Sequence, residues 1–343
     1  MGIDERKSRV LRAIVSLYAI GGEPVGSSLL SKHLDLAVST ATLRNEMAAL
    51  TRLGLLEQPH TSAGRVPSTA GYRYYLDNLM PEDCQLSLRE KQVIDEIFEA
   101  LDYDPGRLAK GAARALSELL GYSVVAATPK SEDMRIAHYE LIAAGRYTVA
   151  VLAVTSAGGV LTRVARVPQA FSDSDLALCE TLLNRALCFI SPDDVGPAQL
   201  TEIRMALGKS EQTLFSIVNA AVTLLREAGR SSTYLAGQQY LLGWPELSDS
   251  LPDILELFAD SERTQRLIIP RTDHVTVLLG EDLPGKPLPG LAIMSKRYLA
   301  GGGLTGAIAI AGPERMPYHK LISKLNYFAL LLGRAMSGNK EEA

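Results

Sequence analysis

The sequence predicts an α+β protein, with a mainly helical front ending in a winged helix-turn-helix and a mixed helix-and-strand body behind it. Three observations carry this. Residues 5–80 read as three helices, a four-residue connection separating the second from the third, followed by a strand–loop–strand. Between Ile136 and Val167 the hydrophobic period changes from that of a helix to two. Beyond that, helical and strand-like runs share the rest of the chain. At 343 residues, two or three domains are expected.

The first helix spans Asp4 to Ile20, with Val10, Leu11, Ile14, Val15 and Tyr18 on one stripe and Gly21-Gly22 as its stop. The second spans Ser27 to Leu34, and Asp35–Val38 connects it to the third. Ser39 is the expected N-cap of helix three, which carries Leu43, Met47 and Leu50 inward and ends at Gly54. Leu55-Leu56 and Val66-Pro67 read as short strands around a loop that contains Gly64, and a helix from Ser68 to Met80 leads out.

After a linker over 80–84, Ser87 with Glu90 forms a capping box. Asp104-Pro105 opens the next helix and Gly121 closes it. The runs 136–142, 147–154 and 160–167, parted by turn residues, predict an antiparallel meander. Helices are expected over 174–190, 197–207 and 210–228, and from Pro252 to Asp260. Strands are expected over 266–269, 274–279, 290–297 and 304–310, and a last helix over 317–336.

Composition excludes several classes. The chain is 47% hydrophobic and 22% charged, which supports packed cores and rules out wholesale disorder. Its three cysteines are too few and too scattered for a disulfide framework or a four-cysteine zinc site. The uncharged stretch between Arg146 and Arg163 is too short and too turn-rich to span a bilayer, and residues 1–12, with charges of both signs and no apolar run, are not expected to be a signal peptide. No membrane association and a cytoplasmic location are expected.

No catalytic, metal or cofactor site is expected. Gly301–Gly306 lacks the Gly-Lys-Ser/Thr end of a phosphate loop and reads as a turn between strands. The five histidines never fall at ligand spacing, and no Ser/His/Asp set is identifiable. Cys179 and Cys188 read as core.

The net charge of −4 hides an asymmetry. Residues 1–80 hold nine Lys/Arg against seven Asp/Glu, while the remainder is acidic. A helix that enters a major groove needs short polar and Arg/Asn side chains on its exposed face. Ser39, Thr40, Thr42, Arg44, Asn45 and Arg52 all lie off the Leu43/Met47/Leu50 row. Arg44 suits a guanine edge and Asn45 an adenine edge, while Ser39 and Thr40 suit phosphate. The loop from His60 to Arg65, with Ser62 and Gly64, is the expected wing. Arg65 would reach a phosphate or a narrow minor groove, and His60 a phosphate. Taken alone, the pattern fits a DNA-reading helix and an ordinary solvated helical face about equally.

Particular words of the sequence go further. EPVGS at 23–27, STATLRNEM at 39–47, LGLLEQPHTSAGRVP at 53–67 and GYRYY at 71–75 closely resemble HrcA, the bacterial heat-inducible transcription repressor family. GPERMPY at 312–318 is similar to that family's entry to its last helix. The middle of the chain matches only in pattern. The resemblance implies a winged-helix DNA-binding domain over 1–80, a discontinuous GAF-like domain over 85–134 and 225–338, and an inserted dimerising domain over 135–224. It implies a homodimer that binds double-stranded DNA at an inverted repeat called CIRCE, represses chaperone genes at normal temperature, and works with the GroE chaperonin. It also brings Arg73, in GYRYY, into the DNA-binding set. Ala70 stands where a polar or basic residue is expected in relatives, a departure that bears on one phosphate contact at the wing's exit. The alternative is a small-molecule-responsive regulator that uses its GAF-like domain as the sensor.

Overall fold

A computed structural model describes residues 3–34, 39–60, 63–81, 85–101, 104–130, 134–156, 158–228, 231–301 and 304–337. The connection Asp35–Val38, the wing residue Ser62 and two of the glycines at 301–303 lie outside the described residues. The chain is of mixed helix and sheet, as expected.

The head consists of α1 (Glu5–Gly21), α2 (Ser27–His33), α3 (Thr40–Arg52), the short strands β1 (Leu56–Glu57) and β2 (Val66–Pro67), and α4 (Thr69–Asn78). Local chemistry sets these limits. Asp4 caps α1 by accepting from the Lys7 N–H, and Gly22 ends it in the left-handed region. Ser39 caps α3, and Ser68 caps α4 by accepting from the Gly71 N–H. β1 and β2 pair antiparallel, with Leu56 opposite Pro67.

The body follows with α5 (Leu88–Glu99) and α6 (Pro105–Leu120). The Ser87/Glu90 capping box, the Asp104 cap and the left-handed Gly121 all form as read from the sequence. Next comes β3 (Ser123–Lys130), a strand the periodicity does not reveal. It lies inside a five-stranded antiparallel sheet of order β7-β3-β10-β9-β8, built with β7 (Thr233–Ala236), β8 (Thr276–Leu279), β9 (Leu291–Leu299) and β10 (Thr305–Pro313). Helices cover both faces of this sheet. Val124, Ala126, Ile308 and Ile310 pack toward α6 and the last helix, α13 (Tyr318–Met336). Val125, Ala127, Ala307 and Ala309 pack toward α11 (Leu251–Ala259) and α12 (Ser261–Ile268). A strand covered on both sides has no polar face, so alternation is lost.

One expected strand is a helix. Residues 266–269 close α12, whose N-cap Asp260 accepts from the Arg263 N–H. The apolar pair Leu267 and Ile268, read as part of a strand, joins Thr264 on a helical face at spacings of three and four.

The meander stands apart with its own core. It comprises β4 (Ile136–Gly145), β5 (Thr148–Thr155) and β6 (Val160–Arg166), in that spatial order. Val149, Val151 and Ala153 of β5 pack on α7 (Asp173–Leu187) and α9 (Glu211–Ala228), with α8 (Pro197–Leu207) alongside. α9 carries this core through Leu224 and Leu225, so the boundary expected after residue 224 falls inside a continuous helix.

The head is docked on the body. Its buried residues, from Val10 to Leu79, form one cluster with α5, α6, α13 and one face of the large sheet. Tyr72 of α4 meets Tyr318 of α13 edge-on, with ring centroids 6.2 Å apart. Arg315 packs on Gly22 at the end of α1, lies 4.7 Å from the Trp244 ring and pairs with Glu246.

Candidate nucleic-acid interface

α3 is held from behind and left open in front. Leu43, Met47 and Leu50 are buried against the head's core. Glu46 faces α1, where Lys7 lies 3.3 Å away and Arg6 3.8 Å. On the opposite side, Ala41, Asn45 and Arg52 are exposed and Ala48 is half-buried. Spacings of four and seven residues place these four on a single face. The two alanines were not singled out from the sequence, although the same spacing announces them. They keep the face low enough for a groove floor, and a methyl group suits the thymine methyl.

The other expected residues fall around this face. Ser39 and Thr40 are exposed at the N-terminus of α3. The Ser39 hydroxyl lies 3.0 Å from that of Thr42 and accepts from the Thr42 N–H at 3.2 Å, so half-buried Thr42 serves the cap. Arg44 is exposed on the flank beside α2. Its Nε donates to the Ser27 hydroxyl at 3.2 Å, and its two terminal nitrogens have no hydrogen-bond partner among the described residues. That anchor orients the planar group, which lowers the entropy lost on pairing with a base.

The loop expected to be the wing is built on close approaches. Val25 and Arg65 exchange two backbone hydrogen bonds of 2.9 Å, which ties the wing's return to the turn before α2. A Cβ on Gly64 would sit 2.3 Å from the Val25 carbonyl oxygen, and one on Gly71 would sit 2.0 Å from that of Leu55. Both positions therefore require glycine. The Gln58 amide donates to the Ala63 carbonyl at 3.2 Å and narrows the loop, leaving His60 exposed on it.

Two expected residues are placed differently. Arg65 is half-buried at the base of the wing, where its Nε donates to the Thr51 hydroxyl at 3.1 Å and its Nη1 to the Gly64 carbonyl at 3.3 Å. It braces the wing against α3 instead of reaching out from the loop. Arg73 is exposed but points to the body, where it pairs with Asp282. Its place on α4 is set by Tyr72 and Tyr75, which are buried beside it. The structure separates Arg73 from the α3 face and gives it a role at the junction of head and body.

Glu314 lies at that junction. Thr69 donates to its Oε2 at 3.3 Å, while its Oε1 is buried without a hydrogen-bond partner among the described residues. Burial pushes its carboxyl up to about 7, and the nearby Glu281 and Asp282 add to the effect. Elsewhere, burial pushes the Cys179 thiol up to about 12, which fits a packing role. Among the described residues no three metal-ligating side chains come together, and no helix is long and apolar enough to cross a membrane.

The family model described as the HrcA protein C-terminal domain matches residues 106–322. The heat-inducible transcription repressor HrcA of Desulforudis audaxviator is 33% identical, over 98% of each chain. The protein of the same name from Carboxydothermus hydrogenoformans is 31% identical, over 98% of this chain and 99% of its own. A crystal structure at 2.2 Å of a protein described as hypothetical shares the fold, with a TM-score of 0.67 and 21% identity over 98% of this chain and 99% of that one. By the matched domain and by end-to-end similarity to these repressors, the chain belongs to the HrcA family of heat-inducible transcription repressors, a family of regulators and not of enzymes.

Proposed function

We propose that this repressor of heat-shock transcription reads an inverted-repeat operator as a homodimer, each head laying α3 in one major groove. The observation that carries this is the open face of Ala41, Asn45, Ala48 and Arg52 on a helix whose opposite side is buried. In this reading the head, residues 1–80, is a winged helix-turn-helix. The five-stranded sheet with its flanking helices is a GAF-like domain, and the meander with α7–α9 is its dimerising insert. Asn45 and Arg44 read bases. Ser39, Thr40, Arg52 and His60 hold phosphates. Arg65 supports the wing, and Arg73 belongs to the docking of head on body.

One head covers a single half-site, so an inverted repeat needs two related by a two-fold axis. The outer face of the meander supports a self-pairing surface. Ile142, Ala150 and Val164 lie across its three strands in one row, with Leu152 and Val154 beside them on β5. Val160 and Val164 are exposed by 52% and 62%. β5 is apolar on both faces from Val149 to Val154. Its inner face is buried, and its outer face is only half covered. Phe189, just beyond the end of α7, is 68% exposed.

Operators of the CIRCE type, chaperone genes as targets and the GroE chaperonin as partner follow from family membership and belong to this proposal, as does a cytoplasmic location. The test is anisotropy titration of a labelled inverted-repeat duplex across a salt series. Tight, sequence-selective binding with a steep negative salt slope is expected, because arginine contacts release counterions. Equal binding to a scrambled duplex would overturn the reading.

A further inference from the structure

A cleft of about 880 Å³ opens between α4 of the head, the edge of the large sheet at β8 and β9, and α13. Its size lies within the range of small-molecule sites. The inner wall is apolar, formed by Leu76, Met80, Val275, Val277, Ile322 and Ala329. Four cationic side chains line it against two carboxylates, those of Asp77 and Asp273.

Two of the four cations are already neutralised. Arg73 is paired with Asp282, and Arg297 with Asp273. Lys296 and Arg334 remain. On β9 the residues facing α13 are Ala292, Met294 and Tyr298, all buried, and strand alternation puts Lys296 on that same face. A lysine in an apolar row costs desolvation unless an anion joins it. Its ammonium donates to the Asp273 backbone carbonyl, which leaves two of its three protons available. Burial lowers its pKa, the Asp273 carboxylate that Arg297 already pairs with opposes this, and Arg297 itself adds to the lowering. Arg334 has no ion-pair or hydrogen-bond partner among the described residues. It follows Gly333, which packs so closely on β9 that a Cβ would lie 2.6 Å from the Leu299 carbonyl oxygen. This contact brings the end of α13 to the strand that carries Lys296.

We propose that this cleft binds a small amphipathic carboxylate, its head group held by Lys296 and Arg334 and its apolar tail lying along Val277, Ile322 and Leu76. The occupant touches the helix that leads out of the head as well as the body. The inference stands on the cleft alone and holds whether or not the operator reading does.

The test is calorimetric titration of the full chain with octanoate, with octanol as the neutral analogue. Saturable binding of one octanoate per chain is expected, with octanol at least about tenfold weaker, because a hydrogen bond to a charged group carries about that factor. Lys296→Met and Arg334→Gln should each weaken octanoate by about tenfold or more. Arg334 is exposed, so its variant keeps the fold even if Lys296→Met does not, and a thermal melt checks both. The absence of saturable binding, equal binding of octanol, or unchanged affinity in a folded Arg334→Gln protein would each overturn the proposal.

Discussion

Replacing Glu314 with glutamine isolates the electrostatics of the junction between head and body. The carboxyl has an ordinary value of 4.5 and is raised to about 7, chiefly by burial. At about 1.4 kcal/mol per pKa unit, the difference corresponds to about 3 kcal/mol, and somewhat less because the side chain is only part-buried. The sign follows from which state ionises first. Below pH 4.5 the group is protonated in both folded and unfolded chains and costs nothing. Between 4.5 and 7 the unfolded chain ionises while the folded one resists, so stability falls as pH rises. Above 7 both are ionised and the full deficit remains. Glutamine keeps the shape and an acceptor for the Thr69 hydroxyl but does not titrate. Glu314→Gln should therefore gain about 2–3 kcal/mol over wild type at pH 8, compared with its offset at pH 4.5. Urea denaturation of both proteins from pH 4.5 to 8.5 measures this gap, in which the titration of all other groups largely cancels. A gap that stays constant with pH would refute the reasoning.

Four further outcomes follow from the same geometry. Gly71→Ala should destabilise the head by about 1–3 kcal/mol, because its Cβ meets the Leu55 carbonyl; a melting temperature equal to wild type would contradict this. Asn45→Ala should relax base choice at one position per half-site by about 1–3 kcal/mol and leave thermal stability unchanged, while Arg52→Ala should weaken all duplexes and lower the salt slope by about one; competition titrations separate the two. Val164→Glu should convert the homodimer to monomers by placing like charges at a two-fold contact, and light scattering that still reports dimers would remove this face from the interface.

Much of the head was legible because its signals are local. Ser39 announces α3 as a cap, and Leu43, Met47 and Leu50 fix which side it buries, which leaves Asn45 and Arg52 on the open side. The capping box at Ser87 and the Asp104–Gly121 helix were readable for the same reason. The meander was readable because glycine-containing turns at 144–146 and 156–159 part its three runs and β4 keeps a polar face through His138 and Glu140. β3 was not, because helices on both sides of its sheet select apolar residues on both faces from Val124 to Ala127.

The sequence by itself determined the family, the limits of α3 and the side that α3 buries, because these are written in local words, caps and periods of a few turns. Only the tertiary structure decided the partners of Arg65, Arg73 and Glu314 and the presence of the cleft. Arg73 and Asp282 lie 209 residues apart, and no local period records which distant side chain a charge will meet. That choice is made when α4 settles on the sheet, where burying Tyr72 against Tyr318 fixes the direction in which every other side chain on the helix points.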